Sequence, residues 1–237
     1  MSIFTYHLVK TSYISALKAV LFPMKSENIP GLIHAECMRS MVLGAAVFSP
    51  SRILPNQLAV FAQWEDEVAL DNFLADNSFG QILATGWHTR LRFLRQWGKI
   101  SGFQIVDEVL EVDPLNTTVV AVTLARLRLF AVPRFIHWGR PVEKLVRDHP
   151  ETLLATASIR LPNIVSTFSI WKSQKAMTDM VQGHSAVAQP KRHQVAMKER
   201  NRKDFNWEFT TLRFKPLAEF GAWNGQTNIM DNLTKND

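Results

Sequence analysis

Histidine is the side chain of this protein best suited to ligate a metal or to move a proton near neutral pH. The sequence contains seven histidines, two tyrosines and a single cysteine, Cys37, and only histidine ordinarily changes charge between pH 5 and 8. One cysteine excludes an intrachain disulfide framework and a cysteine-built zinc or iron–sulfur centre. No His-x-x-x-His or Glu-x-x-His pair is present to build a zinc or di-iron site. A haem site does not need such a motif, because one axial histidine is enough to ligate the iron.

His184 is the histidine that the sequence singles out as a haem ligand. An internal repeat with an offset of 107 residues, described below, makes Asn77 its counterpart in the first half of the chain. A pocket needed only once in a two-fold repeated barrel would keep its ligand in one copy. We therefore predict His184 as the axial ligand of haem iron, with Arg192 near a haem propionate. The alternative is that His184 is a polar residue bonded to backbone at a helix start. His193 lies beyond Pro190 and is not expected to share the same ligand sphere.

Five large apolar side chains are predicted to line a pocket for an apolar molecule inside a barrel: Phe61, Trp64, Phe168, Trp171 and Met180. The alternative is a non-catalytic ferredoxin-like binding or assembly module, in which the same side chains fill the interface between two halves.

The basic excess of the chain is moderate and concentrates in one run. Lysine and arginine outnumber aspartate and glutamate by 27 to 21, and residues 191–203 hold six basic residues against Glu199 alone. Such a run suits haem propionates or an anionic membrane surface, and a solvated helix face is the alternative. Nucleic acid is not expected as a partner, because no nucleic-acid-binding motif accompanies the run. Nucleotide-binding glycine loops and the Gly-x-Ser-x-Gly elbow are also missing from the sequence.

The elements that must position these residues recur around two tryptophans. The strand-like segment 58–64, which ends in Trp64, matches the segment 165–171, which ends in Trp171. Each tryptophan is followed by a polar turn and then by an amphipathic helical segment, at 67–74 in the first copy and at 174–181 in the second.

Each half therefore has the element order β-α-β-β-α-β. Upstream of the tryptophan strands the predicted strand, helix and strand lie at 3–9, 12–22 and 38–48 in the first half and at 118–127, 129–145 and 153–161 in the second. This order is ferredoxin-like, with an antiparallel sheet that carries its helices on one face. We predict an α+β fold in which two ferredoxin-like halves, 1–110 and 111–225, pack their antiparallel sheets as a dimeric α/β barrel. A linker is expected at 107–116 and a polar tail at 226–237.

Short segments along most of the chain also carry a family likeness. They are residues 41–50, 58–69 and 98–102 in the first half, and Pro162, 167–173, Gly183-His184, Arg213-Phe214 and 221–225 in the second. These segments resemble the spheroidene monooxygenase family of carotenoid-oxidising proteins. The resemblance implies a duplicated dimeric α/β-barrel fold, oxygen insertion into an apolar polyene or similar lipid, and a haem cofactor. It also implies a histidine directly after the second-half amphipathic helix, which is the position of His184. We therefore expect a monooxygenase-like oxidoreductase.

Length and composition fit an ordinary folded protein. The chain has 237 residues, of which 46% are hydrophobic and 20% charged, so it can bury a sizeable core. No uninterrupted apolar run of about 18 residues occurs, so no membrane-spanning segment is expected. One cysteine and a polar first ten residues favour the reducing cytoplasm, with peripheral membrane contact through the basic run. The sequence leaves a homo-oligomer open.

Overall fold

The computed structural model describes residues 2–45, 49, 52–105 and 115–230. The elements of the first half are β1 (Ile3–Lys10), α1 (Tyr13–Leu21), β2 (Leu32–Met41), β3 (Ile53–Trp64), α2 (Glu67–Asp76), α3 (Ser78–Ala84) and β4 (Trp87–Lys99). Those of the second half are β5 (Val119–Leu127), α4 (Val132–Arg147), β6 (Thr152–Arg160), β7 (Ile164–Trp171), α5 (Gln174–Val181), α6 (Arg192–Arg202) and β8 (Asn206–Phe220).

The helices that follow the two tryptophans begin in the same way. The side chain of Asp66 accepts a hydrogen bond from the backbone N–H of Ala69 at 2.9 Å, which caps α2. The side chain of Ser173 accepts one from the backbone N–H of Ala176 at 3.1 Å, which caps α5. A short polar side chain at this position satisfies a backbone donor that the first helical turn leaves open. These two polar residues therefore fix where both helices start.

Both halves have the ferredoxin-like strand order, and together they close a barrel. The orders are β4-β1-β3-β2 and β8-β5-β7-β6, with antiparallel neighbours throughout, and the β2–β6 and β4–β8 pairings join them into a closed eight-stranded barrel. Trp64 pairs with Ile3 at the start of β1, while Trp171 pairs with Val119 at the start of β5. The predicted fold class and the equivalent positions of the two tryptophans are confirmed.

Aromatic side chains fill the interior of the barrel. The rings of Phe4 and Phe214 lie 5.0 Å apart between centroids, and Tyr6 stacks on Phe168 at 3.9 Å. Together with Phe61, these side chains are at most 1% exposed. The barrel interior is therefore packed core, and the expectation that it holds the substrate is wrong. The physical reason is that large inward-facing side chains from both halves meet there and occupy the space.

A buried ion cluster joins the two halves. The carboxylate of Glu36 on β2 lies 2.5 Å from the Arg160 guanidinium and 3.3 Å from that of Arg126. Burial alone would raise the pKa of Glu36, but a hydrogen bond with His34 and the two arginine charges outweigh it and hold that pKa below its ordinary value. The cluster therefore stays ionised and ties β2 to the second half.

Two elements differ from the sequence predictions. The second strand runs over Leu32–Met41 instead of 38–48, and Gly44 beyond it has a φ of +71°, a conformation that an extended strand does not use. Residues 46–48 of the predicted strand lie outside the described residues. The sequence analysis also missed α3, whose first turn is capped by the Asn77 side chain through the backbone N–H groups of Phe79 and Gly80.

The predicted domain boundaries fall largely on undescribed residues. The boundary at 110/111 and most of the linker lie outside the described ranges, as does the tail beyond Met230. The described start of that tail is docked, because Met230 is 2% exposed and the backbone N–H groups of Ile229 and Met230 donate to the carboxylate of Glu219. Over the described ranges, every helix is too short or too polar to cross a membrane.

Candidate functional site

A cavity of about 440 Å³ lies in the second half, between the outer face of the barrel and the helices. Strands β5 to β8 form its floor, and α4, α5 and α6 form its walls. Its lining is mostly apolar and includes Ala121, Phe135, Trp138, Val142, Val146, Phe168, Trp171, Met177, Met180, Met197, Phe205 and Phe209. Small-molecule sites are typically about 300–1,000 Å³ with such a lining and a few polar groups.

Small polar residues on the floor distinguish this space from the corresponding interface of the first half. In the first half, Val60 and Ala62 on β3 pack in a continuous core beneath α1, α2 and α3. Their counterparts 107 residues later on β7 are Thr167 and Ser169, which line the cavity. A hydroxyl-bearing surface does not attract apolar side chains as Val and Ala do. The second half therefore keeps a pocket where the first half has a packed interface.

His193 is the histidine that lines this cavity. Burial lowers the pKa of His193; a hydrogen bond to the backbone of Val181 opposes the shift, and the charge of Arg200 adds to it. The other ring nitrogen, Nδ1, is buried and has no hydrogen-bond partner among the described residues. The imidazole is thus neutral, fixed at one nitrogen, and has a lone pair at the other. This is the form in which histidine ligates metals.

The cavity carries a net positive charge. Arg200 on α6 and Arg213 on β8 both line it, as does Glu143 on α4. Glu143 is already matched, because its carboxylate lies 3.1 Å from the Arg52 guanidinium and accepts the Gly44 backbone N–H at 2.9 Å. The charged lining therefore consists of two cationic side chains and one carboxylate.

The structure brings three of the five predicted pocket residues to this cavity. Phe168, Trp171 and Met180 line it. Phe61 lies in the packed barrel interior, and Trp64 packs against Phe73 of α2 in the first half with ring centroids 5.0 Å apart. The first-half counterparts belong to the core, and substrate contact by the second-half residues stays a prediction.

His184 and Arg192, the predicted haem residues, lie outside the cavity lining. His184 is exposed in the turn after α5, where its backbone N–H donates to the Asp179 carbonyl at 2.7 Å. Arg192 is exposed at the start of α6, donates to the side chain of Gln189, and lines a separate surface groove beside α4. The asymmetry at Asn77 reflects its role as the cap of α3.

The sequence did not predict that His193 and Arg200 line the cavity. They lie seven residues apart on α6, which places them two turns apart on one helix face. That spacing is visible in the sequence. However, the second half is longer than the first in this region, and no first-half segment aligns with α6. A comparison of the two halves could not reveal it.

By its architecture the protein is an α+β protein in which two ferredoxin-like halves close into an eight-stranded antiparallel barrel. The candidate cavity lies between this barrel and the helices of the second half. No protein-family model matches the chain, and no curated protein sequence matches it.

Solved structures share this fold. Aldoxime dehydratase in complex with butyraldoxime is similar over 97% of this chain and 85% of its own, with a TM-score of 0.56 and 9% identity. A monooxygenase-like protein from Listeria innocua is similar over 89% and 94%, with a TM-score of 0.28 and 14% identity. A haem-degrading enzyme from Listeria monocytogenes is similar over 90% and 99%, with a TM-score of 0.28 and 13% identity. At 9% identity, the likeness to aldoxime dehydratase shows the fold alone.

Proposed function

We propose that this protein is a monooxygenase-like oxidoreductase that binds an apolar, carotenoid- or lipid-like molecule in the second-half cavity and uses haem there. The observation that carries the proposal is that His193 lines a largely apolar cavity while its buried Nδ1 has no hydrogen-bond partner among the described residues. A buried polar atom without a partner costs free energy unless a ligand satisfies it.

The residues present fit a haem. His193 would hold the iron through one ring nitrogen. The other ring nitrogen bonds to the backbone of Val181 and would fix the orientation of the ring, as is usual for a ligating histidine. The aromatic and methionine side chains of the walls would pack on the apolar porphyrin, and Arg200 would face one of its carboxylates. When bound, haem supplies the iron chemistry that oxidation of an unactivated hydrocarbon needs.

The side chains of the chain itself bind and orient the substrate. The apolar walls favour a hydrocarbon and exclude water from the site. Trp171 and Met180 supply part of that surface. The hydroxyls of Thr123 and Thr211 lie 3.2 Å apart on the floor and give the cavity a polar point that can orient a substrate oxygen.

A haem titration followed by visible absorption tests the cofactor, and His184 provides the matched control variant. We expect the wild type to develop a Soret band, His193→Ala to lose or shift it, and His184→Ala to keep it. Loss of the band in His184→Ala and its retention in His193→Ala would show that His184 is the ligand, as the sequence predicted. A wild type that binds no haem would favour the non-catalytic binding module.

A substrate assay tests the reaction. The haem-loaded protein is incubated with a linear carotene, oxygen and a chemical reductant, and the products are examined by mass spectrometry. We expect a product that has gained one oxygen atom, and less of it when Thr167→Phe fills the cavity. Equal product from both proteins would contradict a reaction in this cavity.

A further inference from the structure

We infer that the ligand of the second-half cavity is an amphipathic carboxylate, and that Arg200 receives its charged group. This inference rests on the proposed function for the location of the ligand, and it adds the chemistry that the ligand must carry.

Arg200 is held in place by contacts that leave its charge unmatched. Its guanidinium carbon lies 4.0 Å from the centroid of the Phe209 ring, and its Nη1 lies 4.0 Å from the sulfur of Met197. Stacking on an aromatic ring fixes the orientation of a guanidinium without neutralising it. Over residues 2–45, 52–105 and 115–230, no carboxylate lies within 4.0 Å of Arg200.

The acidic groups around the cavity already have cationic partners. Glu199 lies one residue away on α6, but its carboxylate contacts Arg134 and Arg202, each at 2.8 Å. Glu143, on the opposite wall, is engaged by Arg52. A cation that faces an apolar cavity without a counterion is costly, and a bound anion relieves that cost.

The spacing on α6 sets the dimensions of the ligand. His193 and Arg200 both line the cavity and are seven residues apart, which corresponds to about 10 Å along a helix. A ligand that reaches both needs an apolar body of about that length with its carboxylate at one end. A haem propionate and the carboxylate of a fatty-acid-like substrate both meet this description, and they share the chemistry that Arg200 would recognise.

Two pairs of probes separate these sources, each pair consisting of an acid and its neutral ester. They are dodecanoate against methyl dodecanoate, and haem against haem dimethyl ester. Trp97, Trp138 and Trp171 line the cavity, so a change in tryptophan fluorescence reports binding. We expect at least one acid to bind about tenfold or more tightly than its ester, as a charged hydrogen bond predicts. Preference within the haem pair identifies a propionate, and preference within the dodecanoate pair identifies a substrate carboxylate.

Variants of two arginines on the same helix test the assignment. Arg200→Met should abolish the preference for the acid, while Arg202→Met, an identical change at an exposed position, should retain it. If Arg200→Met does not fold, Arg200→Lys should keep a smaller preference for the acid, and the wild-type comparison of acid with ester needs no variant. Equal binding of acids and esters, no binding of either acid, or an undiminished preference in Arg200→Met would each overturn the inference. Dodecanoate preference without haem binding would uphold it and reject the haem part of the proposed function.

Discussion

Acid should destabilise this fold through two stacked histidines on β1 and β4. His7 is fully buried, and neither of its ring nitrogens has a hydrogen-bond partner among the described residues. Its ring lies 4.8 Å from that of His88, which stacks at the same distance on Phe220. Burial, the neighbouring His88 and Arg90 lower the pKa of His7 well below its ordinary value. For His88, burial and then Arg90 lower the pKa to about 4, with Asp71 opposing them.

The sign and size of the effect follow from the pKa of His88. In the folded protein both rings are neutral, whereas in the unfolded chain they take up protons near pH 6.5. The contribution to stability is therefore complete above about pH 6.5 and is lost as the pH falls toward 4. The shift of His88 corresponds to at most about 3 kcal/mol. That is a large share of the roughly 5–15 kcal/mol by which domains are stable.

Urea unfolding at a series of pH values between 7.5 and 4.5 measures this loss. His88→Gln should flatten the decline in unfolding free energy with falling pH, because one of the two titrating rings is gone. His137→Gln, which removes an exposed histidine, should follow the wild type. Parallel curves for His88→Gln and the wild type would refute the reasoning.

Three further predictions follow from other parts of the structure. Thr167→Phe should block the cavity and weaken haem binding by at least about tenfold while leaving the circular dichroism unchanged; an unaltered Soret titration would contradict this. Glu36→Gln should lower the unfolding free energy by roughly 3 kcal/mol, because its arginine partners lose a buried counterion; an unchanged urea midpoint would show that the cluster is not stabilising. The basic run of α6 should bind anionic vesicles at low salt and release them at high salt. Vesicle sedimentation measures this binding, and Phe130→Ser or Trp207→Ser should reduce the amount of protein that sediments, since Phe130 is fully exposed and Trp207 is 70% exposed. Absence of binding at low salt would reject membrane contact.

The fold could be predicted because its main signals are local and occur twice. The strands that end in Trp64 and Trp171 are followed by the capping residues Asp66 and Ser173, so each half repeats the same start of a helix. Repetition in one order is difficult to produce by chance, and it led directly to the two ferredoxin-like halves.

The site could be predicted only in part, because an asymmetry between the halves has more than one physical cause. Asn77 differs from His184 because it caps α3, and the difference at the cavity lies instead at Thr167 and Ser169, where hydroxyls replace the packed side chains of the first half. His193 has no counterpart in the first half. Which histidine faces the cavity depends on the packing of α6 against the sheet, and that packing is not a local property of the sequence.

The most direct test of the central claim is imidazole rescue of His193→Ala, measured by the haem absorption spectrum. If Nδ1 of His193 holds the iron, truncation leaves a space in which free imidazole can bind. The account predicts that millimolar imidazole restores a wild-type-like Soret band to His193→Ala and has no such effect on His184→Ala, which never loses the band. A His193→Ala variant whose haem spectrum already equals that of the wild type without imidazole would contradict the claim.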